Sequence, residues 1–267
     1  FEIVCPDLVI HLAGLKTPYD PINDGLAYYT QNILGTIQLL RAMNHVNCNQ
    51  IVFSSSAIVY GASQVTPHSE IHPTNPANLY GKTKVIVEEL LESWAKGAEK
   101  RSAIALRYFN PIGAHQSGII GEDSLAKQTN LVPSIIEVAS GITKELKIFG
   151  ENYDTRDGTG ERDYLHIVDL ANAHLAATDF LNKMTGFKTY NVGTGSGVTV
   201  REMVGVFEKI SGCKIPIKIV DERIGEISSS IADVTKIRKE IGWVSRMDIV
   251  DACKTAWQWK TNNPLGY

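Results

Sequence analysis

The chain has 267 residues, of which 43% are hydrophobic and 21% are charged. This composition is that of a folded globular protein and excludes the disordered, collagen-like and coiled-coil classes. The 26 Lys and Arg residues against 29 Asp and Glu residues leave a net charge of −3, which argues against nucleic acid or an anionic membrane as the partner. No apolar run approaches the roughly 20 residues that span a bilayer, so we expect a small-molecule ligand.

The four cysteines, Cys5, Cys48, Cys213 and Cys253, lie far apart in the sequence and include no Cys-x-x-Cys pair. This spacing predicts reduced thiols rather than a disulfide scaffold or a zinc site. The sequence also has no Asn-x-Ser/Thr glycosylation site, which favours an intracellular protein.

Short apolar runs alternate with amphipathic segments in the first part of the chain. The pattern predicts, in order, a strand at 8–12, a helix at 26–46, a strand from 51 into 54–56, a helix at 80–95 and a strand at 104–108. This alternation predicts an α/β protein with a doubly wound parallel sheet of the Rossmann type. We assign residues 1–110 to this domain and expect a further strand and helix at 163–181 to rejoin it.

The remaining residues, 111–162 and 182–267, are predicted to form a smaller mixed α/β lobe that binds the substrate. Gly-, Asn-, Asp- and Thr-rich loops are expected at 111–130 and 150–163. Further elements are expected as helices at 131–140, 198–211 and 247–260 and as an extended segment at 215–220. The Gly-rich run 193–197 has the wrong spacing for a phosphate-binding loop, and we interpret it as a structural turn.

A phosphate-binding turn is missing from the sequence. No G-x-G-x-x-G, G-x-x-G-x-x-G or Walker A pattern occurs, although a dinucleotide-binding sheet normally opens with a strand, a Gly-rich turn and a helix. The first residues, from Phe1 to Pro6, are typical of the middle of a domain rather than of its start.

Tyr80 and Lys84 form a Tyr-x-x-x-Lys pattern at the start of a predicted helix. Residues four apart share a helix face, so the ammonium can lower the phenol pKa from about 10 toward neutrality, where a phenolate acts as a general base. Taken alone, the pattern is also typical of a pair on a helix surface. Ser56 favours the functional interpretation because it follows a predicted strand, at the edge where open α/β sheets bind ligands.

Four motifs together resemble the extended short-chain dehydrogenase/reductase family, in its NAD-dependent epimerase/dehydratase branch. They are 12–16 (LAGLK), 54–61 (SSSAIVYG), 80–84 (YGKTK) and 107–115 (RYFNPIGAH). The likeness extends through 158–164 (GTGERDY) to 257–259 (WQW), so it covers essentially the whole chain. Within the branch, the sequence is similar to the epimerases of UDP-hexoses. The resemblance implies interconversion of UDP-galactose and UDP-glucose through a transient 4-keto sugar, with NAD retained as a catalyst.

The resemblance also implies the site residues. Tyr80 would take the proton of the sugar 4-hydroxyl, Ser56 would hydrogen-bond that oxygen, and Lys84 would hold the cofactor ribose and lower the pKa of Tyr80. The implied NAD-binding residues are Leu12, Ala13, Gly14, Leu15, Lys16, Asn32, Ser54, Tyr80, Lys84 and Phe109. The implied nucleotide-sugar-binding residues are Ser56, Asn110, Asn130, Lys147, Phe149, Arg162, Arg223, Glu226 and Ser230.

Two of these positions depart from the family pattern. Ser230 stands where members specific for UDP-glucose often have a bulky Tyr, so we expect UDP-N-acetylhexosamines to be accepted as well. Glu226 stands where an Asp is common. Arg162 and Arg223 suit a pyrophosphate because a guanidinium forks onto two oxygens.

By the same resemblance, two N-terminal βα units, roughly 60–70 residues, are expected to be missing, and the 267 residues alone are expected to bind NAD poorly. A cytoplasmic homodimer, formed through helices at 26–46 and 80–96, is also implied. Two alternatives remain open: a related nucleotide-sugar dehydratase or decarboxylase, and a non-catalytic binding protein with the dinucleotide fold. The run 56–58 (SAI) lacks the carboxylates that the dehydratases and decarboxylases use, and the retained Ser56, Tyr80 and Lys84 argue against loss of catalysis.

Overall fold

The structure, a computed structural model, describes residues 1–16, 25–63, 65–123, 130–223 and 225–267. Its strands are β1 Val9–His11, β2 Gln50–Ser54, β3 Ser102–Tyr108, β4 Asn110–Ile112, β5 Leu146–Phe149, β6 Glu161–His166, β7 Gly186–Val192, β8 Gly197–Thr199, β9 Ile217–Val220 and β10 Ser229–Ser230. Its α-helices are α1 Gly25–Tyr28, α2 Gly35–His45, α3 Leu79–Lys96, α4 Leu131–Ala139, α5 Ile167–Leu181, α6 Val200–Ser211, α7 Thr235–Glu240 and α8 Ile249–Asn262. A π-helical segment, Tyr29–Leu34, joins α1 to α2, and a 3-10 turn, Ala57–Tyr60, follows β2. Of the loop expected at 111–130, residues 124–129 lie outside the described residues.

The main sheet of the described residues has four parallel strands in the order β1-β2-β3-β7. Successive residues of β2 pack on opposite faces of the sheet, since side chains alternate along a strand. Phe53 packs with Met43 and Leu91 from α2 and α3, whereas Val52 packs with Leu170 from α5. Helices therefore cover both faces, which explains why the central strands are continuous apolar runs and confirms the α/β fold class.

Two strands lie in different sheets from those expected. β7, which we assigned to the second lobe, pairs with the whole length of β3, from Ser102–Gly186 to Tyr108–Val192. β6, which we expected to rejoin the main sheet, pairs instead with β4, β8 and β10. The reason is the crossover: α5 packs against β2 and β3, so the strand that follows this helix, rather than the one before it, reaches the sheet edge.

The second lobe contains a separate core beneath the parallel pair β5-β9. Ile135 of α4, Phe207 of α6 and Cys253 of α8 are fully buried in this core. Side-chain capping boxes, Thr199 with Glu202 and Asp248 with Asp251, fix where α6 and α8 begin. No helix among the described residues is both long enough and apolar enough to cross a membrane.

Candidate active site

Tyr80 and Lys84 lie on the buried face of α3. The helix begins after Asn78, whose side-chain oxygen accepts a hydrogen bond of 2.8 Å from the Gly81 amide, as an N-cap residue does. Tyr80 is therefore in the first turn and Lys84 is one turn later on the same face. The Lys84 Nζ atom lies 5.5 Å from the centre of the Tyr80 ring, and the two residues are only 7% and 5% exposed.

Ser56 follows β2 at the carboxyl edge of the main sheet. Its Oγ atom accepts a hydrogen bond of 3.3 Å from the Ile58 amide at the start of the 3-10 turn. The Ser56 hydroxyl also donates to the phenol oxygen of Tyr80. The structure thus brings together the three residues that the sequence singled out for catalysis.

The ammonium group of Lys84 is held by the end of β2. Its Nζ atom donates a hydrogen bond of 2.8 Å to the Ser54 carbonyl oxygen and lies 4.6 Å from the centre of the Phe53 ring. Burial lowers the pKa of Lys84 to about 8, and the nearby Glu88 carboxylate opposes this shift by raising it.

The environment of Tyr80 differs from the expected one. Burial raises the pKa of the Tyr80 phenol well above its ordinary value, and Tyr108 raises that pKa further because Tyr80 donates a hydrogen bond to it. The hydrogen bond from Ser56 lowers the pKa only in part. The Lys84 ammonium hydrogen-bonds the Ser54 carbonyl rather than the phenol, and the expectation that its charge lowers the pKa of Tyr80 stays a prediction. Because its pKa is raised, Tyr80 is a protonated phenol here.

The turn at 12–16, which follows β1, is held in place by Asn32. The Asn32 Oδ1 atom accepts from the Leu15 amide at 2.7 Å, and its Nδ2 atom donates to the Leu15 carbonyl at 3.1 Å and to Thr83 Oγ1 at 3.0 Å. Gly14 has a φ of +149°, and a Cβ atom there would lie 2.9 Å from Asn32 Oδ1. This close approach requires glycine.

The other residues expected to contact NAD differ in exposure. Leu12, Ala13, Leu15 and Lys16 are exposed, with Leu12 at 65%, and Lys16 lies 3.9 Å from Glu122. Ser54 and Phe109 are buried beside the catalytic residues and the second lobe, respectively.

Two contacts organise the residues expected to bind the nucleotide-sugar. The Arg162 Nη2 atom donates to Glu226 Oε1 at 2.5 Å, and the guanidinium carbon of Arg223 lies 3.8 Å from the centre of the Phe149 ring. Ser230 on β10 is paired in register with Arg162 on β6. The sidechains of Asn110, Asn130 and Lys147 are exposed at the start of β4, before α4 and on β5; the hydrogen bonds and ion pairs between described residues do not include them.

Sequence reasoning missed Tyr108 and Tyr153. Tyr108 is the last residue of β3. Its place at the end of a buried strand was the signal in the sequence that could have identified it. Burial raises the pKa of Tyr153, with further contributions from Glu222 and Glu226, while the two candidate arginines act in the opposite direction. Tyr153 therefore lies among the charged side chains of the second lobe.

Residues 1–193 match the model of the NAD dependent epimerase/dehydratase family. The chain belongs to this family. Among relatives within the epimerase/dehydratase family, the UDP-glucose 4-epimerase of Bos taurus is 45% identical over 260 residues, which are 97% of this chain and 75% of that protein. The UDP-glucose 4-epimerase of Bacillus subtilis is 42% identical over 261 residues, which are 98% of this chain and 77% of that protein.

Solved structures of the epimerase/dehydratase family show the same fold. The UDP-glucose 4-epimerase of Stenotrophomonas maltophila, solved with NAD and a formylated UDP-arabinopyranose, superposes with a TM-score of 0.94 at 41% identity, covering 97% of this chain and 77% of that one. The enzyme of Bifidobacterium longum, solved with NAD+ and UDP, gives a TM-score of 0.91 at 41% identity, covering 98% and 78%.

Proposed function

We propose that the protein is an isomerase that interconverts UDP-galactose and UDP-glucose by inverting carbon 4 of the sugar. The observation that carries this proposal is the contact between Ser56 and Tyr80 at the carboxyl edge of the main sheet, with Lys84 one helical turn away. The similarity to UDP-glucose 4-epimerases over almost the whole chain supports it.

NAD is the cofactor that these residues suit. The turn at 12–16 leaves the apolar side chains of Leu12 and Leu15 exposed at the sheet edge, and Asn32 holds its backbone in place. We assign NAD contacts to this turn, to Asn32, Ser54 and Phe109, and to the Tyr80–Lys84 pair. When bound, NAD would accept a hydride from carbon 4 and return it to the opposite face of the 4-keto sugar.

Tyr80 and Ser56 handle the proton of the 4-hydroxyl. Ser56 donates to the phenol oxygen, so a sugar hydroxyl placed between them can share its proton with both. Because burial raises the pKa of Tyr80, the phenol needs a positive charge beside it before it can act as a base. The Lys84 ammonium supplies part of that charge.

The second lobe holds the nucleotide part of the substrate. The guanidinium groups of Arg162 and Arg223 are suited to the pyrophosphate, and Phe149 offers a ring face on which a uracil can stack. Arg162 pairs with Glu226 in this structure, so substrate would compete with an internal carboxylate for the same guanidinium. Asn110, Asn130 and Lys147 are proposed contacts of the same nucleotide-sugar.

Ser230 favours a second group of substrates. Ser230 lies on a strand that pairs with the strand of Arg162. Because its side chain is small, it leaves more room for an N-acetyl group on the hexose than a Tyr side chain at position 230 would leave. We therefore extend the proposal to UDP-N-acetylglucosamine and UDP-N-acetylgalactosamine.

We also propose that the protein acts in galactose metabolism in the cytoplasm and forms a homodimer through the helical segments at 26–46 and 80–96. Tyr29 and Leu34 on the first segment are 43% and 46% exposed, which supports a helix face available to a second copy. Light scattering coupled to size-exclusion chromatography tests this assignment, and a monomer at micromolar concentration contradicts it.

The test of function is direct. The full-length gene product, supplied with NAD and UDP-galactose, is expected to form UDP-glucose, and the Tyr80→Phe variant is not. A folded, NAD-loaded protein that forms no UDP-glucose contradicts the proposal. A 4-keto-6-deoxy sugar product would instead support a dehydratase, although Ala57 and Ile58 occupy the positions where that chemistry needs carboxylates.

A further inference from the structure

Helix α3 carries a third polar side chain on its buried face. Glu88 follows Lys84 by one turn, just as Lys84 follows Tyr80, and it is only 5% exposed. A buried carboxylate is costly unless it is paired and hydrogen-bonded. The partners of Glu88 therefore indicate what its charge is used for.

Glu88 binds two groups that belong to the neighbouring strands. Arg107 on β3 donates to it from Nε, at 3.1 Å from Oε1, and from Nη2, at 2.6 Å from Oε2. The Ser55 hydroxyl donates to Oε1 at 2.5 Å. Arg107 is 6% exposed and Ser55 is fully buried, so both contacts are shielded from water.

Ser55 lies between Ser54 and Ser56, the two residues that contact Lys84 and Tyr80. On one side, the Ser54 carbonyl accepts the hydrogen bond from Lys84 Nζ; on the other, the Ser56 hydroxyl donates to Tyr80. A carboxylate that fixes the Ser55 side chain therefore fixes the segment on which both contacts depend.

Arg107 extends the same network to the 3-10 turn after Ser56. Its Nη1 atom donates to the Tyr60 hydroxyl at 3.2 Å, and that hydroxyl donates to Asn191 Oδ1 at 2.6 Å. Ser55 before Ser56 and Tyr60 after it are therefore both held by one buried ion pair, that of Glu88 with Arg107.

Charged and titratable groups from several elements lie around Lys84 and its neighbours. Tyr80 and Glu88 on α3 and His11 on β1 interact with Lys84 itself. Tyr28 on α1 and Tyr108 on β3 act on Tyr80, and Arg107 on β3 pairs with Glu88. Glu88 carries the negative charge of this set, as its ion pair with Arg107 shows. His11 is neutral because burial lowers its pKa to about 4. The attraction of Glu88 raises the pKa of Lys84 against the effect of burial.

We propose that Glu88 is a positioning residue of the reaction, which holds the 54–56 segment through Ser55 and Arg107 and keeps the Lys84 ammonium charged. The proposal rests on the proposed function only for the roles of Tyr80 and Lys84. The contacts themselves are properties of the fold.

The test follows the Lys84 side chain directly. The chain is labelled with [ε-13C]lysine, the Lys84 signal is assigned from its loss in Lys84→Arg, and its titration midpoint is measured by NMR. In Glu88→Gln we expect the midpoint to fall by about one pH unit or more, because a charge of opposite sign has been removed. The control is Glu92→Gln, since Glu92 is on the same helix but exposed and paired with Lys96; its Lys84 midpoint is expected to stay at the wild-type value.

A Lys84 midpoint that is the same in Glu88→Gln as in the unmodified chain overturns the electrostatic role. If Glu88→Gln does not fold, Glu88→Asp replaces it: this variant keeps the charge but withdraws it by one methylene, and a smaller shift in the same direction is expected, whereas no shift overturns the role. This readout requires no turnover. If the unmodified, NAD-loaded full-length gene product forms no UDP-glucose, that result contradicts the proposed function, whereas the shift of the Lys84 midpoint still tests this inference.

The positioning role is tested separately with Ser55→Ala in the full-length gene product. The variant keeps the charge of Glu88 but loses the hydroxyl that joins it to the 54–56 segment. We expect kcat to fall about 10- to 100-fold, as misplacement of reacting groups does, with KM for the UDP-sugar and the Lys84 midpoint unchanged. An unaltered kcat overturns the role, and an increased KM with unaltered kcat assigns Ser55 to substrate binding instead.

Discussion

The carboxylate of Asp163 joins three segments around the second lobe, and its replacement by Asn should destabilise the whole protein. Its Oδ1 atom accepts from the Thr194 amide at 2.8 Å and from the Thr194 hydroxyl at 2.7 Å. Its Oδ2 atom accepts from the amides of Gly195 at 2.9 Å and Ala232 at 3.2 Å. Asp163 is fully buried, so water cannot replace a lost acceptor. These contacts also confirm that the Gly-rich run 193–197 is a structural turn.

Asp163→Asn keeps the shape of the side chain but turns one acceptor atom into a donor. Either orientation of the amide leaves two donors facing an NH2 group, and each buried unsatisfied group costs about 1–3 kcal/mol. We expect the free energy of unfolding to fall by about 3 kcal/mol, which with a urea m-value of about 2 kcal/mol/M lowers the midpoint by about 1.5 M.

Urea unfolding, followed by the fluorescence of the four tryptophans, measures the change. The matched control is Asp154→Asn on the preceding loop, because Asp154 is exposed and such substitutions usually stay within about 0.5 kcal/mol. Equal midpoints for Asp163→Asn and Asp154→Asn would refute the reasoning that the Asp163 carboxylate holds these segments together.

Other predictions concern activity, binding and pH. In the full-length gene product, Tyr80→Phe should lower kcat about 10²- to 10⁴-fold, the range of a general acid–base group, while circular dichroism stays unchanged. Arg223→Ala should weaken UDP binding about tenfold or more in calorimetric titration, as loss of a charge-assisted hydrogen bond does, whereas the exposed Arg201→Ala should not. Ser230→Tyr should abolish turnover of UDP-N-acetylgalactosamine and retain that of UDP-galactose; equal loss of both contradicts the steric argument. Burial, together with the Lys84 charge, lowers the pKa of His11 to about 4 in the folded protein. The unfolded chain therefore protonates this imidazole at a higher pH than the folded protein does. Stability should therefore fall as pH drops from about 6.5 toward 4, and less steeply in His11→Gln.

Local patterns in the sequence were sufficient for much of the fold. The run around Val52 and Phe53 reads as a strand because both faces of it are buried, and the four-residue spacing of Tyr80 and Lys84 places them on one helix face whatever else the chain does. The position of Ser56 at the carboxyl edge of the parallel sheet also followed from its place directly after a predicted strand.

Properties that depend on distant contacts could not be predicted in this way. The choice between β6 and β7 for the main sheet depends on where α5 crosses it, which the local sequence of the two strands does not specify. The pKa of Tyr80 depends on its burial and on the direction of its hydrogen bond to Tyr108. The spacing with Lys84 carries no information about either. The buried Asn32 lies in a π-helical segment, and the apolar periodicity of 26–46 reveals neither the segment nor the burial.

The charges at the carboxyl edge of the main sheet do not cancel, and this imbalance has a chemical consequence. The Arg107 guanidinium is neutralised by Glu88 in a bidentate contact, and His11 is neutral above pH 4 or so, because burial lowers its pKa. Lys84 remains as a buried ammonium whose hydrogen bond goes to a carbonyl, a neutral group. A buried positive charge favours any anion that forms next to it, and the Tyr80 phenol, whose ring centre lies 5.5 Å from Lys84 Nζ, is able to form one. Burial therefore has two opposite effects on this pair: it opposes ionisation of the isolated phenol, and it strengthens the attraction that a phenolate would feel toward the ammonium. Above the pKa of Lys84, about 8, the second effect disappears and only the first remains.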